Sequence, residues 1–84
     1  MVSYLAHDKA NGITKAGGLI ACQQWAFNRI GKYHESIIVI IKARAGEDAR
    51  VIGEVDKNGG RWIFGGRYVP RREVTKLIRR AAHG

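Results

Sequence analysis

Cysteine, proline and methionine each occur once in these 84 residues, acids number only seven, and the longest apolar run, at 37–41, is five residues. Each scarcity excludes something. A lone Cys22 forbids an intramolecular disulfide and leaves no cysteine cluster for structural zinc, which suits a reducing, cytoplasmic setting. A membrane span needs roughly 18 or more apolar residues, and the opening MVSYLAHDKANGITK lacks the basic lead and apolar core of an export signal, so no membrane partner is expected. His7, His34 and His83 are scattered without metal-ligand spacing, so neither a metal nor a cofactor is expected. Glu35 beside His34 has no second carboxylate in prospect, and the pairs at 59–60 and 65–66 do not open a helix as a phosphate-cradling glycine loop would. These gaps argue against an enzyme and for a binding protein.

What is abundant is positive charge. Fifteen Lys and Arg against seven Asp and Glu give a net charge of +8 and a pI near 10.3, extreme for one domain spanning 1–84. Residues 61–80, RWIFGGRYVPRREVTKLIRR, hold seven of the cations and a single acid, Glu73. Such a balance calls for a polyanion, most commonly nucleic acid, or for an acidic protein surface.

Along the chain, Val2, Tyr4 and Ala6 alternate with Ser3, Leu5 and His7, a short strand pattern ended by Asn11-Gly12. Apolar residues from Thr14, a plausible N-cap, to Ile30 recur at spacings of three and four, with Gly31 beyond, which predicts a helix over about 14–30. Gly17-Gly18 weakens its first turn, and Cys22 within it reads as a small buried apolar residue. The β-branched run at 36–45 predicts a central strand, 46–48 a three-residue turn, 49–56 a second strand, and Asn58-Gly59 a two-residue hairpin turn into a third strand at 60–68. Pro70 suits a first helical position, and Val74, Leu77, Ile78 and Ala81 supply the stripe of a final helix. The expected fold is therefore α+β, of order αβββα: a three-stranded antiparallel meander with both helices on one face, to which residues 2–7 can add a fourth strand.

Pairing Lys57 with Gly60 sets a register in which Val55, Gly53 and Val51 oppose Trp62, Phe64 and Gly66 on the helix-covered face. Trp62 and Phe64 are then core. The opposite, open face carries Arg44, Arg50 and Arg67 in one rung, together with Ile38, Ile40, Ile52 and Ile63. Like charges facing one another in a sheet are unfavourable, and Arg71 and Arg72 crowd a helix start where the dipole prefers anions. A single surface arginine ordinarily just covers apolar area with its stem. Arg44, Arg50, Arg67, Arg71 and Arg72 together, extended by Lys76 and Arg79, instead point to an absent phosphate backbone. The four isoleucines supply a second reading, a patch that docks an acidic protein surface or pairs two copies of the chain.

The order helix, three strands, helix is similar to that of double-stranded RNA-binding domains, and PRREVTK at 70–76 resembles the basic start of that family's last helix. The resemblance implies an α+β fold and a nucleic-acid partner without separating RNA from DNA; the long aromatic third strand and the unmatched histidine-bearing turn depart from it. As a type, a small basic domain also resembles phage and mobile-element accessory proteins, including anti-CRISPR inhibitors, which implies a protein-docking inhibitor or adaptor. The leading expectation is a non-enzymatic module that contacts nucleic-acid phosphates, DNA or RNA, through its arginines.

Overall fold

A computed structural model describes residues 2–44 and 49–83. Seven elements follow in order: β1 (Val2–Asp8), β2 (Ile13–Gly17), α1 (Leu19–Lys32), β3 (Ile38–Arg44), β4 (Ala49–Asp56), β5 (Gly59–Val69) and α2 (Arg71–His83). One antiparallel sheet runs β2-β1-β3-β4-β5, with β2 and β5 at its edges. This overturns the three-stranded meander with a leading helix: a β-hairpin precedes α1, so the order is ββαβββα. From α1 to α2 the order is still helix, three strands, helix, but the two strands ahead of α1 have no place in the resemblance to double-stranded RNA-binding domains.

Local chemistry explains the hairpin. Asp8 pairs with Ile13 across a turn in which the Gly12 N–H donates to the Asp8 carbonyl at 2.8 Å and Gly12 takes φ 67°, a left-handed conformation that glycine adopts without steric cost. Thr14, expected as a helix cap, instead lies buried in β2 with its hydroxyl 2.9 Å from His7 Nδ1. The helical spacing at 14–17 was coincidental, and Gly18 is the residue that caps α1. Arg29 and Lys32 in the last turn of α1 complement its dipole.

The helices pack on opposite faces, not on one. Ala6, Ile38, Ile40 and Val55 form a core with Cys22 and Ala26 of α1; Leu5, Val39, Ile41, Val51 and Val69 form another with Val74 of α2. The unbroken apolar run of β3 follows from this, because a strand covered on both sides has no polar face to alternate. Val51 and Val55, four apart, would share a face in a regular strand; an irregularity at Ile52 sends them to different cores. Cys22 is buried and unpaired.

The β4–β5 register also differs from expectation. Asp56 pairs with Gly59, so the turn residues are Lys57 and Asn58, two positions off the expected pairing. The Asp56 carboxylate accepts the Asn58 N–H at 2.8 Å, and Gly59 takes φ 111°. Pairing then runs to Gly53 with Trp62 and resumes at Val51 with Arg67, so Ile63, Phe64, Gly65 and Gly66 all stand opposite Ile52. Gly65 and Gly66, at φ 77° and 71°, make this bulge sterically accessible. The expected turn at 46–48 lies outside the described residues. Among the described residues, no helix is long and apolar enough to cross a membrane.

Candidate functional site

The expected arginine rung does not form. Arg50 pairs with Lys42 on β3 and Tyr68 on β5, whereas Arg67 pairs with Val51 and faces the α2 side. Strand alternation puts Arg44 with Lys42 and Arg50, on the α1 side. Arg71, Arg72 and Arg79 are exposed, and helical spacing turns them away from the sheet, because Val74 and Leu77 face it. Of the seven expected cations, Arg44 and Arg50 share the α1 face with Lys42, and Arg67 and Lys76 meet in one place on the α2 side.

That place is a groove of ≈ 530 Å³ between α2 and the sheet. Its floor includes Val39, Ile41, Val51 and Leu77, and its walls carry Lys9, Arg67, Lys76 and Arg80, with His7 and a single acid, Glu73. The groove exists because α2 crosses β1 and β2 and leaves β3 to β5 open beside it. Glu73, Lys76 and Arg80 recur at helical spacing on the flank of α2 next to its core stripe, so one helix supplies both the packing and the charge. Burial, followed by Arg80, lowers the pKa of His7, with Lys9 adding to the effect. Asp8 and Glu73 oppose the shift without reversing it. Lys9, Arg80 and His7 were not expected here. Arg80 belongs to the i, i+4 series with Arg72 and Lys76, whereas the β1–β2 turn that delivers Lys9 leaves no comparable trace in the sequence.

Arg67 is held in place. Its Nη2 donates to Glu54 Oε1 at 2.6 Å while Arg61 Nη2 donates to Glu54 Oε2, also at 2.6 Å. The hydrogen bond from Arg61, aided by the charges of both arginines and opposed by burial, lowers the Glu54 pKa. One carboxylate thereby aligns two guanidiniums beside the β5 edge.

The four isoleucines do not form a patch. Ile38 and Ile40 are buried under α1, Ile52 packs against that same core, and Ile63 packs against the α2-side core. Among the described residues, these four isoleucines form no open sheet face for docking or self-association. The exposed large apolar groups are other isoleucines, Ile13, Ile20, Ile37 and Ile78, and the aromatics Phe27, Trp62, Phe64 and Tyr68. Trp62 and Phe64, expected in the core, are 63% and 104% exposed: Trp62 stands opposite Gly53 on the α1 face of an edge strand, and Phe64 falls within the bulge.

A second polar constellation lies at the other end of the sheet. Asp8, fully buried, accepts hydrogen bonds at Oδ2 from Arg29 Nε (2.6 Å), Ser36 Oγ (2.7 Å) and Asn11 Nδ2 (2.9 Å), and at Oδ1 from the N–H groups of Ala10 and Asn11. Burial raises its pKa, but these donors, Asn11 foremost, outweigh burial and hold it at about 2. Arg29 is further enclosed by the rings of Trp25 and Tyr33, at 5.4 and 4.7 Å. This knot ties α1 to the β1–β2 turn and to the entry of β3. No buried side-chain polar atom in it lacks a partner, so it has a structural role. Among the described residues, no three His, Cys, Asp or Glu side chains gather to hold a metal ion. Compared with known proteins, the chain matches no family model, no curated protein and no solved structure.

Proposed function

We propose that this protein is a small, non-enzymatic nucleic-acid-binding module that holds phosphates in the groove between α2 and the sheet. The observation that carries the reading is the local charge: Lys9, Arg67, Lys76 and Arg80 line one groove with Glu73 as its lining acid, and Glu54, which pairs with Arg67, is shared with Arg61, in a chain of net charge +8. Side chains of like charge are gathered there at a cost that a phosphate backbone relieves, with release of its counterions. Arg67, aligned by Glu54, offers its remaining donors to a phosphate. The apolar floor excludes water below the contacts and strengthens them.

Binding of short labelled oligonucleotides across a salt series tests this. Four phosphate contacts correspond to a slope of log affinity on log salt of about −2.8 for a single strand and about −3.6 for duplex DNA. Lys76→Gln with Arg80→Gln should flatten that slope by roughly half without loss of fold. Affinity should rise as pH falls through the lowered pKa of His7, because protonation adds a charge to the groove. Absence of binding to any oligonucleotide at low salt would sink the reading and leave an acidic protein surface as the partner.

A further inference from the structure

The β5 bulge and the adjoining face of α1 form a second site, on the side of the sheet opposite the groove. A cavity of ≈ 170 Å³ lies there, lined by Gln23, Phe27, Ile40, Gly53, Gly60 and Trp62. Its size, about that of five or six water molecules, suits one planar heterocycle and falls far short of a base pair. The Phe27 ring rests against Gly60, where an added Cβ would come within 3.0 Å of Cζ. Trp62 lies across Gly53, its Cε3 3.6 Å from where a Cβ would stand. Two glycines thus let two aromatic rings settle against the sheet while remaining 51% and 63% exposed. Phe64 stands beyond them at the tip of the bulge, wholly exposed.

A bulge on an edge strand has a simpler use, which is to blunt the edge against pairing with another sheet. That use needs an irregular backbone. It does not need a fully exposed phenylalanine at the tip, nor a tryptophan beside an open cavity. The charge nearby narrows the choice of ligand: Arg61 borders the cavity with its backbone beside Gly53, and its side chain turns around the β5 edge to the other face, where Glu54 holds it together with Arg67. A nucleotide combines a flat ring with an anion in one unit, which is the pairing that this edge presents.

We infer that Phe27 and Trp62 stack an unpaired nucleobase, that Gln23 reads its edge through a side-chain amide with both donor and acceptor, and that Phe64 stacks a neighbouring base. The protein therefore selects single-stranded over duplex nucleic acid. This rests on the phosphate-binding reading and adds to it. The strand's backbone follows Arg61 and Arg67 around the β5 edge while its bases turn to the α1 side.

The test compares four ligands of equal length by fluorescence anisotropy: single-stranded DNA, single-stranded RNA, duplex DNA, and an abasic strand with the same phosphates and no bases. The single strands should bind roughly five- to 150-fold more tightly than the abasic strand for each stacked base. Trp62→Ala and Phe64→Ala should each remove such a factor for the base-bearing strands, leave abasic binding and the salt slope unchanged, and melt like the parent, since both side chains are exposed. The ratio of DNA to RNA affinity identifies the source of the base. Equal affinity for normal and abasic strands, or tighter binding of duplex, overturns the base site while leaving the phosphate groove intact. Failure of every ligand to bind overturns both.

Discussion

Asp8 and Glu54 both grip arginine, but Asp8 does so out of contact with solvent, whereas Glu54 holds two guanidiniums that remain 69% and 55% exposed. The Asp8 knot closes on itself. Arg29 is consumed by one carboxylate and two rings, and no buried side-chain polar atom among the described residues lacks a partner. The Glu54 fork leaves donors facing outward, next to a groove with more cations than acids. The same ion-pair chemistry therefore stabilises the fold at one end of the sheet and prepares a surface for an anion at the other. Burial, and not residue type, separates the two roles.

The comparison breaks most visibly with a charge placed on the closed side. Ile40→Asp puts a carboxylate beneath α1, and the cost is comparable with the whole stability of a domain of this size, so the variant should not fold, as circular dichroism would show. Phe64→Asp should fold like the parent. Asp8→Ala comes next. It strands Arg29 in a nearly buried position and should cost roughly 3–5 kcal/mol in denaturant unfolding.

Acid probes the same knot more gently. A carboxyl held at about 2, against 3.8 unfolded, contributes about 2 kcal/mol of stability that is complete above pH 4 and lost as pH falls toward 2. His7, whose folded pKa is also lowered, acts in the same direction at higher pH: the unfolded chain takes up its proton first, so stability declines as pH drops below about 6.5. A pH series of thermal melts should show both steps, and Asp8→Ala should abolish the lower one. The smallest effect on stability is expected at Glu54→Gln, where the pairs are solvent-exposed. Removing that negative charge should instead raise oligonucleotide affinity at low salt while loosening the alignment of Arg61 and Arg67.

Strands β3 and β4, the following hairpin, α2 and the burial of Cys22 were legible because each rests on local pattern: β-branched runs, turn residues, a helical stripe, a lone apolar thiol. Residues 2–7 carried the right alternation, but their partner, β2, is a five-residue edge strand whose apolar spacing mimics a helix. The opposed helices were signalled by the absence of any polar face at Ile38 to Ile41, a pattern equally compatible with a patch of exposed isoleucines. The bulge was the least legible element. Gly65-Gly66 marked a strand weakness, but only tertiary packing decides that four residues stand opposite one, and this sets where Phe64 and Arg67 point. Register errors therefore moved the expected site more than they changed its chemistry: arginines placed in one rung fall on two faces, and the surviving cationic cluster forms where α2 flanks the sheet.

The most direct measurement is a backbone amide and arginine side-chain NMR titration of the 84-residue protein with a short single-stranded oligonucleotide at low salt. The expected result is that shifts concentrate at Lys9, Arg67, Lys76 and Arg80, with the His7 pKa rising as phosphate enters the groove, while Arg72 and Arg79 and the Asp8 knot stay still. Shifts centred on Arg71, Arg72 and Arg79, with no change at His7, would contradict the groove as the phosphate site.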